Sequence, residues 1–278
     1  MTESYAEING IKICYEIRGE GYPVFLVHGF GANKEFWIAQ VGELSKKYKV
    51  ITFDNRGSGM SDHPNEPYTM EMFADDLKGL MDVLKIEKAH FIGHSLGGAV
   101  IQHLALRYPE RVNKIILISS FTDLPLDEVG IEMYKKNQLA IYEASINDPI
   151  KAFYDKMKLR FSRNFLKLMK EDPSKKWHDL WSTDDLIEIT KLNPLNSQDI
   201  INLTNTLITH KTLNRLPEIK NQTLIITGEK DRIASKTASE QLHQGIPNST
   251  LKIFEVGHWL NLEKAPEVNK IILDFLKN

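Results

Sequence analysis

The chain has 278 residues, 42% hydrophobic and 26% charged, the composition of a globular protein with ample material for a core. Its 35 basic and 37 acidic residues leave a net charge of −2, and the two signs are interspersed, which excludes the basic footprint of a nucleic-acid binder. A single cysteine, Cys14, excludes an internal disulfide and suits a reducing interior.

No stretch approaches the roughly 18 consecutive apolar residues of a membrane span. The first residues carry neither the basic nor the apolar region of a signal peptide. A cytoplasmic protein with no membrane partner is therefore expected. Oligomeric state is not written in the composition.

Residues 4–8 and 11–17 read as two strands joined by Asn9-Gly10, a hairpin signal. Cys14 lies in the second, where alternation makes it a strand residue rather than a reactive thiol. Val24-Phe25-Leu26-Val27 is a continuous apolar run, as suits a strand covered on both faces. It ends in His28-Gly29-Phe30-Gly31. A helix is expected from about Lys34 to Lys47, then a strand over Val50–Phe53 and a tight loop, Asp54-Asn55-Arg56-Gly57-Ser58-Gly59. Thr69 to Leu84 has helical spacing behind a threonine cap.

The next stretch organises the rest. Ala89-His90-Phe91-Ile92 fits a buried strand, Val100 to Leu106 fits a helix closed by Pro109, and Gly93-His94-Ser95-Leu96-Gly97-Gly98 lies between. This is the G-x-S-x-G pattern of a serine held on a sharp strand-to-helix turn. Such a turn strains the serine and brings its neighbours so close that a β-carbon would clash, which glycine relieves at 93 and 97. Gly98 would let the helix press on the sheet. The helix N-terminus then faces charge developing beside Ser95 Oγ.

A strand over Lys114–Ser119 follows, and then the rhythm changes. From Thr122 to Leu216 only helical spacing appears, broken at Asp148-Pro149, Asp172-Pro173 and Asn193-Pro194, which suggests four or five helices. Alternation resumes with a strand over Thr223–Thr227, a helix from Thr237 to His243, a strand over Leu251–Phe254 and a last helix from Pro266 to Leu276. Strands alternating with helices predict an α/β fold with a parallel sheet covered on both faces. Residues 1–121 and 217–278 would form this core. Residues 122–216, inserted after the sixth strand, would form a helical cap over the strands' C-terminal edge, where open α/β sheets place their ligand sites.

A serine hydroxyl needs a base within hydrogen-bond reach to become a nucleophile. Of nine histidines, His90 and His103 sit in a strand and a helix, His178, His210 and His243 on predicted helices, and His63 in a surface loop. His258 follows the last strand, on the same rim as Ser95. The base needs a carboxylate to fix its tautomer. Asp231, at the end of the preceding strand, is preferred over Glu229 and Asp123 because the short turn through Gly228 leaves it room to point at the next loop. The order Ser95, Asp231, His258 matches this geometry. Backbone N–H groups of Phe30 and Leu96 occupy the two places of an oxyanion hole, and Gly29 and Gly31 would let the main chain turn Phe30 inward.

Together, His28-Gly29-Phe30-Gly31, Asp54-x-Arg56-Gly57-x-Gly59-x-Ser61, Gly93-His94-Ser95-Leu96-Gly97-Gly98, Gly228-x-x-Asp231 and Gly257-His258 resemble the α/β-hydrolase family along most of the chain. The resemblance implies an eight-stranded, mostly parallel sheet with a helical cap, no cofactor, and acyl transfer to water through Ser95 with His258 as proton shuttle. It implies substrate contacts from Gly29, His94, Trp259 and Trp181. Serine at 95 argues against the haloalkane dehalogenase and epoxide hydrolase branches, which use aspartate there. Carbon–carbon bond hydrolases of ring-cleavage pathways resemble the chain in Trp259 and in cap arginines, here Arg160 and Arg163, but carry asparagine where this chain has His94. Enol-lactonases and cofactor-free haloperoxidases share the same triad. A carboxylesterase or lactonase acting on a small apolar ester is the leading expectation. A carbon–carbon hydrolase, or a small-molecule receptor on the same scaffold, is the alternative.

Other signals are weaker. Gly57-x-Gly59 lacks the third glycine of a dinucleotide loop. No His/Cys/Asp group has metal-ligand spacing. Trp177 and Trp181, four apart, would share a helix face.

Overall fold

A computed structural model describes residues 3–124, 127–192 and 195–277. The chain opens with β1 (Ser4–Ile8) and β2 (Ile11–Arg18), turned by Asn9 and Gly10 at φ 51° and 81°, the left-handed pair that a tight hairpin demands. β3 (Pro23–Val27) follows. The single helix expected over 34–47 is instead a 3-10 turn, Lys34–Trp37, and a one-turn α1 (Val41–Leu44). Tertiary contacts override local propensity here. Trp37 is fully buried, and the buried Gln40 amide donates to the Asn261 carbonyl at 2.7 Å and to Asn269 at 3.1 Å.

β4 (Lys49–Phe53) leads to α2 (Met70–Val83), capped by Thr69, whose side chain accepts from the Met72 amide. β5 (Ala89–His94), α3 (Leu96–Arg107) and β6 (Val112–Ile118) come next. Between β6 and β7 the described residues form α4 (Glu128–Asn147), α5 (Pro149–Arg160), α6 (Arg163–Glu171), α7 (Thr183–Lys191) and α8 (Ser197–Thr209). The expected break at Asn193-Pro194 lies outside the described residues. β7 (Thr223–Gly228), α9 (Lys236–Gly245), β8 (Ser249–Phe254), α10 (Leu260–Glu263) and α11 (Ala265–Lys277) complete the chain.

The eight strands form one sheet in the order β1-β2-β4-β3-β5-β6-β7-β8. β2 runs antiparallel to both neighbours, and every pair from β4 to β8 is parallel. The period-2 alternation of the central strands sorts their side chains into two cores. Phe25, Val27, Ile51, Phe91, Ile115 and Leu117 face the layer of α2 and α3, with Leu77, Leu80, Val100 and Leu104. Val24, Leu26, Val50, Ile92, Ile116 and Ile118 face the layer of α11, with Val268, Ile272 and Leu276.

The insertion divides between them. Leu203 and Leu207 of α8 join the first core, while Phe153 and Met157 of α5, Leu166 and Met169 of α6, and Phe161 between these helices extend the second. α4 buries no residue fully. Trp177 and Trp181 do not lie on a helix. The Trp177 amide donates to the Trp181 carbonyl at 2.6 Å across a turn whose His178 and Asp179 take φ of 55° and 59°. That turn folds both indoles onto Phe165. No described helix is long and apolar enough to cross a membrane.

Candidate active site

Ser95 sits between β5 and α3 at φ 54°, ψ −119°, a region that non-glycine residues occupy only when their surroundings compel it. The surroundings here are backbone. The Ser95 amide donates to the Ile118 carbonyl at 2.9 Å, and Ser120 Oγ donates to the Ser95 carbonyl at 3.0 Å, so β6 grips the turn from both ends. A β-carbon at Gly97 would lie 2.1 Å from the Val27 carbonyl oxygen, and one at Gly93 would lie 2.5 Å from Gly97. Only glycine permits that approach.

Asp231 and His258 meet across 27 residues. His258 Nδ1 lies 2.7 Å from Asp231 Oδ2, with both residues buried. The other oxygen, Oδ1, accepts from the Ile233 and Ala234 amides at 2.8 and 2.9 Å. With Oδ1 taken up by two amides, Oδ2 is left to accept from the imidazole and holds it with Nδ1–H toward the carboxylate. Nε2 is thereby the basic nitrogen. Among the described residues, neither His258 Nε2 nor Ser95 Oγ has a hydrogen-bond partner, and neither is among the sealed, orphaned polar atoms. No Ser95–His258 hydrogen bond joins them here, and catalytic hydrogen bonds often tighten only when substrate binds. Of the rival acids, Asp123 is occupied by the Thr212 and Leu213 amides, and Glu229 pairs with Lys236.

His94 is placed differently from the substrate contact implied by the sequence. It is buried, and its Nε2 lies 3.0 Å from the carbonyl oxygen of His258. Its ring packs against Phe36 and His258 at 4.7 Å between centroids. Burial, with the neighbouring His258 adding to it, holds the His94 ring well below its ordinary pKa, so it stays neutral and donates one hydrogen bond. It braces the His258 backbone from beneath the nucleophile.

The loop that carries Phe30 is fixed by a second buttress. The Asn55 amide donates to His28 Nε2 at 3.1 Å, so Nδ1 carries the proton and faces the Gly29 carbonyl at 3.0 Å. Burial lowers the His28 pKa and keeps this neutral tautomer. Asp54 accepts from the Lys34 and Met60 amides at 2.7 and 3.0 Å. Arg56 forks onto Asp76 at 2.6 and 2.8 Å. The Phe30 and Leu96 amides have no acceptor among the described residues. A Cβ on Gly29 would come within 3.1 Å of the Ser95 β-carbon.

Trp259, half-buried beside His258, carries the Arg160 guanidinium 5.2 Å over its ring. The Trp259 amide donates to the Arg160 carbonyl at 2.9 Å, which ties the histidine loop to the end of α5. Two sequence-implied contacts fall elsewhere. Trp181 is fully buried behind Phe161, its Nε1 donating to the Leu262 carbonyl at 3.2 Å, so it backs the wall rather than lining it. Arg163 is exposed at the start of α6. Spacing within the insertion missed Tyr134, whose ring meets Phe30 edge-on at 5.9 Å. Glu3, Glu16 and Glu35 also converge, which their spacing does not reveal, but the Lys34 ammonium already bridges two of them.

The family profile of the alpha/beta hydrolase fold matches residues 22–265. The chain belongs to this family. Its relatives and structural neighbours within the alpha/beta hydrolases span several chemistries. It is 30% identical over 99% of its length, and 94% of the other chain, to a 2-hydroxy-6-oxo-6-phenylhexa-2,4-dienoate hydrolase from Comamonas testosteroni. Among solved structures it is similar to the enol-lactonase from Burkholderia xenovorans LB400, with TM-score 0.83 and 26% identity, covering 99% of this chain and 100% of that one. A meta-cleavage product hydrolase from Pseudomonas fluorescens IP01 has TM-score 0.68 and 27% identity, covering 99% and 97%.

Proposed function

We propose that the chain is a serine hydrolase that cleaves a small carboxylic ester or lactone through an acyl-enzyme on Ser95. The observation that carries this reading is the 2.7 Å contact of His258 Nδ1 with Asp231, which leaves Nε2 free on the rim where Ser95 is presented. In this mechanism His258 Nε2 takes the Ser95 proton as Oγ attacks the carbonyl carbon. The Phe30 and Leu96 amides receive the oxyanion, and His258 returns the proton to the leaving alkoxide. Water then attacks the acyl-enzyme with His258 again as base. Each oxyanion donor supplies about 3 kcal/mol to the transition state. Residues 122–216 act as the cap that walls the substrate. No part of this chemistry calls for a cofactor.

The test is hydrolysis of 4-nitrophenyl butyrate by the wild type and by Ser95→Ala. Activity is expected in the first and loss of about 10⁴-fold or more in kcat in the second. An unchanged rate ends the reading.

A second reading is favoured by one observation, the Arg160 guanidinium over Trp259 with no carboxylate paired to it among the described residues. The Comamonas relative acts on a dienoate, and a cation at this place suits an anionic ketone substrate cleaved at a carbon–carbon bond. A vinylogous diketone acid turned over faster than any ester would favour it.

A further inference from the structure

His63 follows the tight loop after β4 and stands between that loop and the insertion. Its Nδ1 lies 2.9 Å from Asp199 Oδ2, and its Nε2 lies 3.2 Å from the Gly59 carbonyl oxygen. A carboxylate oxygen and a carbonyl oxygen both accept hydrogen bonds. A neutral imidazole has one N–H, so its second nitrogen would turn a lone pair toward an oxygen. Only the imidazolium satisfies both neighbours. The bond to Asp199 raises the His63 pKa above its ordinary value, against burial and with help from the charges of Asp199 and Asp54. These two carboxylates, one on α8 and one in the loop after β4, are the charged groups that act on the ring.

Both acceptors are held in place. Gly59 takes φ 54°, and a β-carbon there would lie 2.3 Å from Asp54 Cγ, so this part of the loop is pressed onto the Asp54 carboxyl. Asp199 is buried. Its Oδ2 also accepts from the Asn196 amide at 2.9 Å, and its own amide donates to Asn196 Oδ1 at 2.9 Å, a reciprocal cap on the start of α8. The ring thus clips a rigid loop at one nitrogen and a helix end at the other.

The rest of α8 is fastened without it. Leu203 and Leu207 lie in the first core, the Asn205 side-chain amide donates to the Tyr68 carbonyl at 3.1 Å, and the Met70 amide donates to Thr209 Oγ1 at 3.1 Å. Among the described residues, the side chains of residues 195–199 make one polar bond to the core, Asp199 with His63. That end of α8 matters because of what precedes it. Leu195 Cδ1 lies 3.7 Å from the place of a β-carbon on Gly31, the neighbour of Phe30, and Leu195 and Phe30 pack on the edge of the same core. A second piece of the insertion meets this loop where Asn33 Nδ2 donates to the Ile189 carbonyl at 3.3 Å.

We propose that His63 is a positioning residue of the candidate site: as an imidazolium it clasps Asp199 to the Gly59 loop, and through the end of α8 it keeps Leu195 over the oxyanion loop at Gly31. This rests on the reading of the Phe30 amide as an oxyanion donor and adds a control on the wall beside it. The sign of the pH dependence follows from the clasp. A histidine whose pKa is higher folded than unfolded contributes fully below its unfolded value and loses that contribution as pH rises through the folded one. The clasp is closed in mild acid and opens on the alkaline side.

Nuclear magnetic resonance reads the clasp without any substrate. The His63 ring signals, assigned by comparison with His63→Gln, should titrate above the ordinary histidine value of about 6.5, and Asp199→Asn should bring that midpoint down. The Gly31 amide should shift with the same midpoint in the wild type and lose that step in His63→Gln. A His63 midpoint at or below about 6.5, or a Gly31 amide that does not follow it, overturns the proposal. Both are read on the wild type, so neither depends on how well a variant folds.

Hydrolysis of 4-nitrophenyl butyrate gives the second readout. The wild-type KM is expected to rise about fivefold or more as pH passes the His63 midpoint, with kcat level. His63→Gln should show the raised KM at every pH, and His63→Lys, whose cation persists to higher pH, should keep KM low. A wild-type KM that is flat across the midpoint, or a rise that survives in His63→Gln, overturns the proposal. The two readings fail separately. Coupled titration of His63 and Gly31 in a chain that hydrolyses no ester removes the serine-hydrolase reading and keeps the clasp. Hydrolysis with a flat KM removes the clasp and keeps the hydrolase.

Discussion

The Trp259 amide donates to the carbonyl of Arg160 at 2.9 Å, joining the residue after the candidate base to the last residue of α5. Gly257 packs against the same carbonyl: a β-carbon there would stand 2.5 Å from the Arg160 oxygen. The insertion therefore touches the histidine loop through backbone, and the position of one constrains the other. Gly257→Ala should push the loop away from α5 while leaving Ser95, Asp231 and His258 in the sequence. A fall in kcat of about tenfold or more, with the protein still folded by circular dichroism, is the expected result, since displacements of about an ångström cost that much and more.

Asp231 offers a sharper test of the imidazole's orientation. Its Oδ2 faces His258 Nδ1, and its Oδ1 is filled by two amides. In Asp231→Asn the side-chain amine would face either an N–H or His258 Nδ1, forcing the opposite tautomer in the second case. Loss of about 10⁴-fold in kcat is expected, read in a steady-state ester assay alongside the melting temperature.

The Arg56–Asp76 pair is buried on both sides, and Asp76 also accepts from Asn9 Nδ2 at 2.9 Å. Removing one partner strands a charge in the core, which typically costs about 3–5 kcal/mol. Arg56→Met should therefore lower the urea midpoint, and the double variant Arg56→Met with Asp76→Leu should recover part of it.

Acid should weaken the fold through a histidine pair. His103 Nε2 and His210 Nδ1 lie 3.2 Å apart where α8 meets α3, and His210 Nε2 donates to the Phe121 carbonyl. Burial lowers the pKa of both, His210 to about 4. A histidine whose pKa is lower folded than unfolded binds its proton preferentially in the unfolded chain. Its contribution is full above about pH 6.5 and is lost as pH falls toward 4, on the order of 3 kcal/mol for His210 alone. Urea titrations at pH 7 and pH 4.5 should show a smaller drop in His210→Gln than in the wild type.

The strand pattern and the elbow were legible because each leaves a mark on neighbouring residues in the sequence. A period of two names the faces of a strand, and Gly93-x-Ser95-x-Gly97 keeps glycine at both close approaches of the turn, Gly93 to Gly97 and Gly97 to the Val27 carbonyl. Asp231 and His258 could be singled out because each follows a strand that ends on one rim. What could not be read depends on partners far along the chain. The break between Trp37 and Val41 exists because Gln40 reaches residues more than 220 positions away. Trp177 and Trp181 keep helical spacing yet fold as a turn, since their indoles pack better side by side on Phe165. His94 looked like a group open to ligand, but its ring points down at the His258 carbonyl. Tyr134 carries no motif at all, and only the packing of α4 against α5 brings it near Arg160.

The elbow carries one more implication. Its geometry is held by the Ile118 carbonyl, the Ser120 hydroxyl and the glycines at 93 and 97, while Ser95 Oγ contributes nothing to the grip. The turn is a mount, and the atom it displays is interchangeable as far as folding is concerned. A thiol or a carboxylate installed there would inherit the same perch, so a change of reagent at this one position would leave the architecture beneath it undisturbed.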